Sequence, residues 1–386
     1  MGKVKQLAPL DPLLLLSVLA LLAFSLIMVG SASLEVADVR YGSPWHILLR
    51  WCFYIPVGLF VMWAVSLVNP SWWKALVMPL LMISFVVLLI LLLVGNEING
   101  ATRWFSLLGM TIQPVEFIKP IFIIYLAYYL SSFPERLNSF GNGLTPMLLM
   151  LIFMVTLLLL QPDFGNAALL LGVSFCLWFV GGVPFRHLFG LMAVMGPILI
   201  LVVTSSAYRM KRITAFMDPW EDRFGSGYQL VQSEIAFGAG GVTGAGLGQG
   251  IQKLFYLPES FTDFISAVIG EELGLIGILT LIAVFTLLCW RGFKIAMQAD
   301  KVFTRLLALG CTLLLAAAFI INMGAAMGIF PTKGMPMPFV SYGGSALIGS
   351  CILVGLIFSV QRHQTASATN RRTKRHSNVV PQAAAI

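Results

Sequence analysis

Runs of about 20 mostly apolar residues recur along this chain, each long enough to cross the roughly 30 Å hydrocarbon core of a bilayer as a helix. They fall near 13–32, 46–68, 75–95, 115–132, 146–161, 164–182, 186–204, 265–290, 305–329 and 343–361. Charged residues make up only 10% of the 386 and hydrophobic ones 59%, against about 25% charged in an ordinary soluble domain. Mean hydropathy is +0.91. The chain therefore reads as an all-α polytopic membrane protein of about ten transmembrane helices. A soluble enzyme, a disordered chain and a nucleic-acid binder are excluded, in spite of the +8 net charge.

Lys3 and Lys5 precede an apolar run too long for the core of a signal peptide, so the first run reads as a retained span. An even number of spans puts both termini on one side. That side collects 14 cations against three acids, and the remainder holds ten cations against thirteen acids. The positive-inside rule then makes both termini cytoplasmic. Residues 1–362 form the membrane domain. Residues 363–386 are basic and rich in Ser, Thr and Asn, and read as a disordered cytoplasmic tail.

Five cysteines lie singly in apolar runs and four histidines are scattered, with neither CxxC nor HExxH spacing. They read as small buried or lipid-facing groups, and no tightly bound metal or cofactor is expected.

Residues 205–264 form a long polar segment on the outer side, far above the usual connection length and so a candidate for function. The segment opens with Arg209, Lys211 and Arg212, and Gln229 to Phe237 reads as a short amphipathic helix. Residues 238–250 hold seven glycines. They fit neither GxGxxG nor GxxxxGK[ST], and no predicted strand precedes them, so a tightly turning, Gly-packed surface segment is favoured over a phosphate loop. A contribution of backbone N–H groups to a diphosphate stays open.

Ionisable residues at membrane depth cost about 2.5–3.5 kcal/mol each on insertion scales and are seldom accidental. Glu116 and Lys119 are three apart and share a helix face. A mutually neutralising pair and a substrate-contacting pair fit them equally well. Arg103 precedes that span at the outer face, as an interfacial anchor or an anionic-headgroup contact. Asp163 stands at the break between spans five and six, where helix capping is its plain reading. Asp263 lies where the outer segment re-enters the membrane, and a carboxylate at a low-dielectric edge suits proton abstraction. On a helix, Glu271 lies about 80° from Asp263 and Glu272 about 180°. Glu271 is thus expected to share the Asp263 cavity, and Lys253 to offer a phosphate leaving group its positive charge.

These residues stand in recognisable strings. Gln113-Pro114-Val115-Glu116, Gln161-Pro162-Asp163-Phe164-Gly165, Gly225-Ser226-Gly227-Tyr228, Gln252 to Glu259, Thr262-Asp263-Phe264-Ile265, Glu271-Glu272-Leu273-Gly274 and Pro338 to Ser345 resemble the motifs of the SEDS family (shape, elongation, division, sporulation). The resemblance spans nearly the whole chain, and the Gln252–Glu259 run is closer to the division branch than to the elongation branch. Phe261 stands where many members have His, Val115 where Ser is common and Arg223 where Pro is common. Phe261 weakens any scheme that needs a histidine beside Asp263.

The resemblance implies a peptidoglycan glycosyltransferase that polymerises lipid II at the outer face of the cytoplasmic (inner) membrane, at the division septum. It implies as partners a class B penicillin-binding protein, the division transpeptidase, other division-complex membrane proteins, and membrane lipid. Asp263 falls on the family's catalytic aspartate. Arg103, Glu116, Lys119, Asp163, Arg212, Lys253, Glu271 and Ser341 are the candidate substrate-binding residues. A divalent cation, Mg or Mn, is allowed for at the diphosphate. The rival reading is a flippase for the lipid-linked precursor, with Glu116 and Lys119 lining its path. No internal repeat of the kind common in transporters is visible.

Overall fold

The computed structural model describes residues 8–98, 101–107, 110–204, 207–332 and 334–379. In chain order the helices are α1 (Pro12–Tyr41), α2 (His46–Leu67), α3 (Pro70–Val94), α4 (Val115–Ser132), α5 (Thr145–Leu160), α6 (Phe164–Val180), α7 (Phe185–Thr204), α8 (Ala207–Met217), α9 (Tyr228–Gly240), α10 (Ile265–Met297), α11 (Val302–Ala326) and α12 (Gly344–Val379). Eight of the described helices are long and apolar enough to cross a membrane. Helix α6 is apolar but has only 17 residues, and α7 covers the seventh expected run. Each expected span thus has its helix, and the protein is an all-α polytopic membrane protein.

Three departures from the sequence reading stand out. Between α3 and α4 the chain forms a small antiparallel sheet of β1 (Asn96–Ile98), β2 (Ala101–Leu107) and β3 (Met110–Ile112), in the order β1-β2-β3. Arg103 and Trp104 are strand residues. The last helix runs on to Val379, into the tail read as disordered. No Pro or Gly interrupts residues 361–379, so nothing in the backbone stops it. Finally, α10 breaks at Gly274, whose φ of 63° lies in the region that favours glycine.

Helix α4 is an interior helix, packed on α3, α6, α11 and α12, while α10 lies against α1, α9 and α11. Two buried tryptophans, Trp51 and Trp178, are among the largest side chains of the core. At one end of the bundle Arg291 of α10 is paired with Asp11, which caps α1, and Arg362 bonds the Ala8 carbonyl and Ser66. At the other end the sheet, the α5–α6 break, the segment leading into α10 and the loop before α12 come together around Asp263 and Arg103.

Candidate active site

Asp263 is half-buried, two residues before the first turn of α10. The approach to it is tightly wound. Glu259 has a φ of 56°, and its carbonyl accepts from the Thr262 and Phe264 N–H groups. The Phe261 carbonyl accepts the Tyr342 N–H at 2.9 Å, and the two rings meet edge-on at 5.8 Å. At the position where a histidine was missed, an aromatic contact therefore ties the approach to the loop before α12. Tyr342 also lies against Trp51 and is hydrogen-bonded to the Arg50 guanidinium. Burial pushes its hydroxyl above the ordinary tyrosine value, partly offset by Arg50.

Asn322 of α11 donates to the Asp263 carbonyl at 3.0 Å and to the Met335 carbonyl at 2.6 Å. The next turn of that loop is closed by Ser341, whose Oγ accepts the Met337 N–H at 2.8 Å. Ser341 is buried. It shapes the loop by this hydrogen bond.

Arg103 reaches across from β2. Its Nε donates to the Gln161 carbonyl at 3.4 Å and its Nη2 to the Pro162 carbonyl, at the break between α5 and α6. Its Nη1 and the Asp263 carboxylate both lie beside Gly334. A methyl group built on Gly334 would stand 3.3 Å from Asp263 Oδ2 and 3.8 Å from Arg103 Nη1. Gly334 is exposed and has no side chain, so a carboxylate and a guanidinium converge on an open point.

Below them lies a buried polar chain. Glu116 Oε1 accepts from Lys119 Nζ at 2.7 Å, and Lys119 also donates to Asn166 Oδ1 at 3.0 Å. The Asn166 amide donates to Asp163 at 2.9 Å, and Asp163 caps α6 by accepting the Asn166 N–H. Asp163 is buried, and its capping reading holds. Glu116 and Lys119 edge a small cavity with Met335, Pro336, Pro338 and Ser350. They are thus a mutually neutralising pair that also borders a small, mostly apolar space under the loop before α12.

Two expectations are overturned at the Gly-rich segment. Glu271 does not share the Asp263 site: it accepts the Ile251 and Gln252 N–H groups. Lys253 is not available to a diphosphate, because its three donors go to Ser31, the Gly248 carbonyl and Glu272. The segment returns alongside α10, where the Ala245 and Gly246 N–H groups donate to the Glu271 and Glu272 carbonyls. Gly244, at a φ of 81°, abuts the Glu272 carbonyl so closely that a Cβ would stand 2.2 Å from it. The Gly-packed reading therefore holds, and many of the N–H groups that a phosphate would need are spent on α10 and its carboxylates. Arg209 and Arg212 lie on α8, but their side chains fall outside the described residues.

Sequence reasoning missed Asn166, Ser31, Asn322 and Gly334. An asparagine inside the apolar run 305–329 was a visible signal, since a polar group at that depth needs partners. Gly334 carries no such signal, because its meaning is the space beside it.

Residues 12–366 match the cell cycle protein family of FtsW, RodA and SpoVE. The chain belongs to this family. The probable peptidoglycan glycosyltransferase FtsW of Trichlorobacter lovleyi is 41% identical over 357 residues, 92% of this chain and 94% of that one. That of Coxiella burnetii is 39% identical, over 91% and 95% of the two chains. Among solved structures, a chain of a peptidoglycan synthase complex that coordinates polymerization and crosslinking superposes with a TM-score of 0.78 at 28% identity, over 92% of this chain and 98% of that one. The rod shape determining protein RodA of Thermus thermophilus gives 0.69 at 29% identity, over 92% and 97%. An Asp-to-Ala mutant of that RodA superposes equally well. Within this SEDS fold, Asp263 and Arg103 both approach the exposed Gly334.

Proposed function

We propose that this protein is a peptidoglycan glycosyltransferase that polymerises lipid II into glycan strands at the outer face of the cytoplasmic membrane during cell division. The observation that carries this reading is the convergence of Asp263 Oδ2 and Arg103 Nη1 on Gly334. Asp263 accepts the proton of the sugar 4-hydroxyl of one lipid-linked disaccharide. That oxygen attacks the anomeric carbon of the growing strand, and undecaprenyl diphosphate departs. A diphosphate is a good leaving group, so a second carboxylic acid is not obligatory, unlike ordinary glycoside hydrolysis. It needs positive charge, and Arg103, rather than Lys253, supplies it. A divalent cation at the diphosphate, Mg or Mn, would be held chiefly by the substrate phosphates, since no group of three or more His, Cys, Asp or Glu among the described residues is placed to hold a metal ion, and it would add positive charge to the leaving group.

A crosslinking enzyme, the class B penicillin-binding protein of division, is the partner we propose, along with other membrane proteins of the septum. The synthase complex among the structural relatives supports this pairing. The proposed orientation has both termini cytoplasmic.

The test is Asp263→Asn, which keeps shape but cannot act as a base at neutral pH. Removing a general base costs about 10²–10⁴ in rate. With lipid II supplied on the outer face, the variant should fold, bind its transpeptidase and make no polymer. Near-normal polymerisation by the variant rejects Asp263 as base. Wild-type protein that moves lipid II across liposomes and polymerises none is a flippase instead.

A further inference from the structure

We propose that Asn322 is a positioning residue for the reaction, the clamp that fixes Asp263 against the loop carrying Gly334. This rests on the glycosyltransferase reading and adds to it a residue that touches no substrate.

The geometry is specific. Asp263 lies ahead of α10, on a segment that no helix of its own restrains. Gly334 lies in a loop that is likewise free of regular structure. The two segments share one side chain, buried on α11. Its amide nitrogen donates to the Asp263 carbonyl and to the Met335 carbonyl. Because both partners are carbonyls, only the NH₂ end of the amide can serve them, so the orientation of Asn322 is determined. The two hydrogens of that group are thereby shared between the residue bearing the carboxylate and the residue following Gly334.

The other end of the amide is the second observation. Asn322 Oδ1 is buried and accepts no hydrogen bond among the described residues. A buried acceptor without a donor is costly, so stability alone argues poorly for an asparagine here. What the asparagine does provide is a bridge of fixed length. The tie between Tyr342 and the Phe261 carbonyl fastens the same two segments at a second point. Asn322 fastens them at the backbone carbonyl of the residue that bears the carboxylate. Loss of the clamp leaves Asp263 in place chemically but free to swing relative to Gly334 and Arg103. Misplacement of a reacting group by about 1 Å costs about 10²-fold in rate.

The experiment compares wild-type protein with Asn322→Leu, of similar size and with no donor, and Asn322→Ser, whose hydroxyl is too short to bridge both carbonyls. Each is purified, checked for a wild-type elution profile, and followed by amide hydrogen exchange and by lipid II polymerisation with the transpeptidase partner. Exchange should rise in peptides covering 261–266 and 334–338, and stay unchanged in 228–240. The kcat should fall by about 10–100-fold, with KM within about threefold of wild type. Unchanged exchange in either peptide overturns the clamp. Raised exchange in both, with kcat within twofold of wild type, overturns its role in the reaction. If wild-type protein polymerises nothing, the glycosyltransferase reading fails, and the exchange data still decide the clamp.

Discussion

The Lys253 ammonium lies 2.7 Å from the Glu272 carboxylate, with the two side chains 8% and 0% exposed. Ser31 of α1 donates to the same carboxylate, and Gly248 donates to its other oxygen. The pair therefore joins α1, α10 and the Gly-rich segment. Removing one member strands a buried charge, whereas removing both does not. Lys253→Met should lower stability by about 3–5 kcal/mol, and Lys253→Met with Glu272→Gln should recover much of it. Thermal unfolding of purified protein in detergent checks this. A single variant as stable as wild type, yet weak in binding undecaprenyl diphosphate, would return Lys253 to the role of phosphate ligand.

Glu116 and Lys119 behave the same way, with one addition. Lys119 also holds Asn166, which holds Asp163 at the start of α6. Lys119→Met thus breaks a longer chain than Glu116→Gln and should cost more folded yield. The double variant should be more stable than the sum of the single losses predicts. Equal, mild and additive losses would mean that both side chains face water independently.

Much of this arrangement is legible in the sequence, because bilayer length and apolar runs leave few choices. Every expected span is a helix, and Glu116–Lys119 pair as their spacing requires. The misreadings share one cause. Helical angle placed Glu271 near Asp263, but the partner that decides its role, the Gly-rich segment, returns from twenty residues away and donates its N–H groups there. Lys253 was likewise assigned by its charge, when Ser31, some 220 residues distant, helps fix it. Long-range contacts of this kind leave no periodicity to read. The small sheet around Arg103 was missed because β1 and β3 have only three residues each and the seven of β2 do not alternate between apolar and polar.

At the opposite end of the bundle, Asp11 caps α1 and bonds Arg291. Burial alone would raise its carboxyl, but the Arg291 hydrogen bond, the Leu14 N–H and the positive charge of Arg291 outweigh it and hold Asp11 below the ordinary carboxylate value. A depressed folded value means stability that is present above the unfolded value near 3.8 and lost as pH falls through the folded one. Asp11→Asn preserves the cap and removes the charge. It should lower stability at pH 7 by about 1.5–3 kcal/mol, and the gap to wild type should close below about pH 4. A gap that is constant from pH 7 to pH 3 would assign the loss to packing.

Gly334 gives the most direct test of where chemistry occurs. Its φ is not in the left-handed region, so alanine meets no backbone penalty there. The added methyl would stand 3.3 Å from Asp263 Oδ2 and 3.8 Å from Arg103 Nη1. The first distance is tight, so the carboxylate must give way by a few tenths of an ångström, and the open point between the two groups is filled. Gly334→Ala should therefore fold with wild-type stability and lose about 10-fold in polymerisation rate, a fraction of the 10²-fold expected for a 1 Å displacement. Gly334→Val should lose more, because its branches extend over both groups. Rates from lipid II polymerisation, set beside unfolding temperatures for the same samples, separate the two effects. A valine variant of normal stability and normal rate would place the reacting sugar elsewhere, away from the Asp263–Arg103 pair.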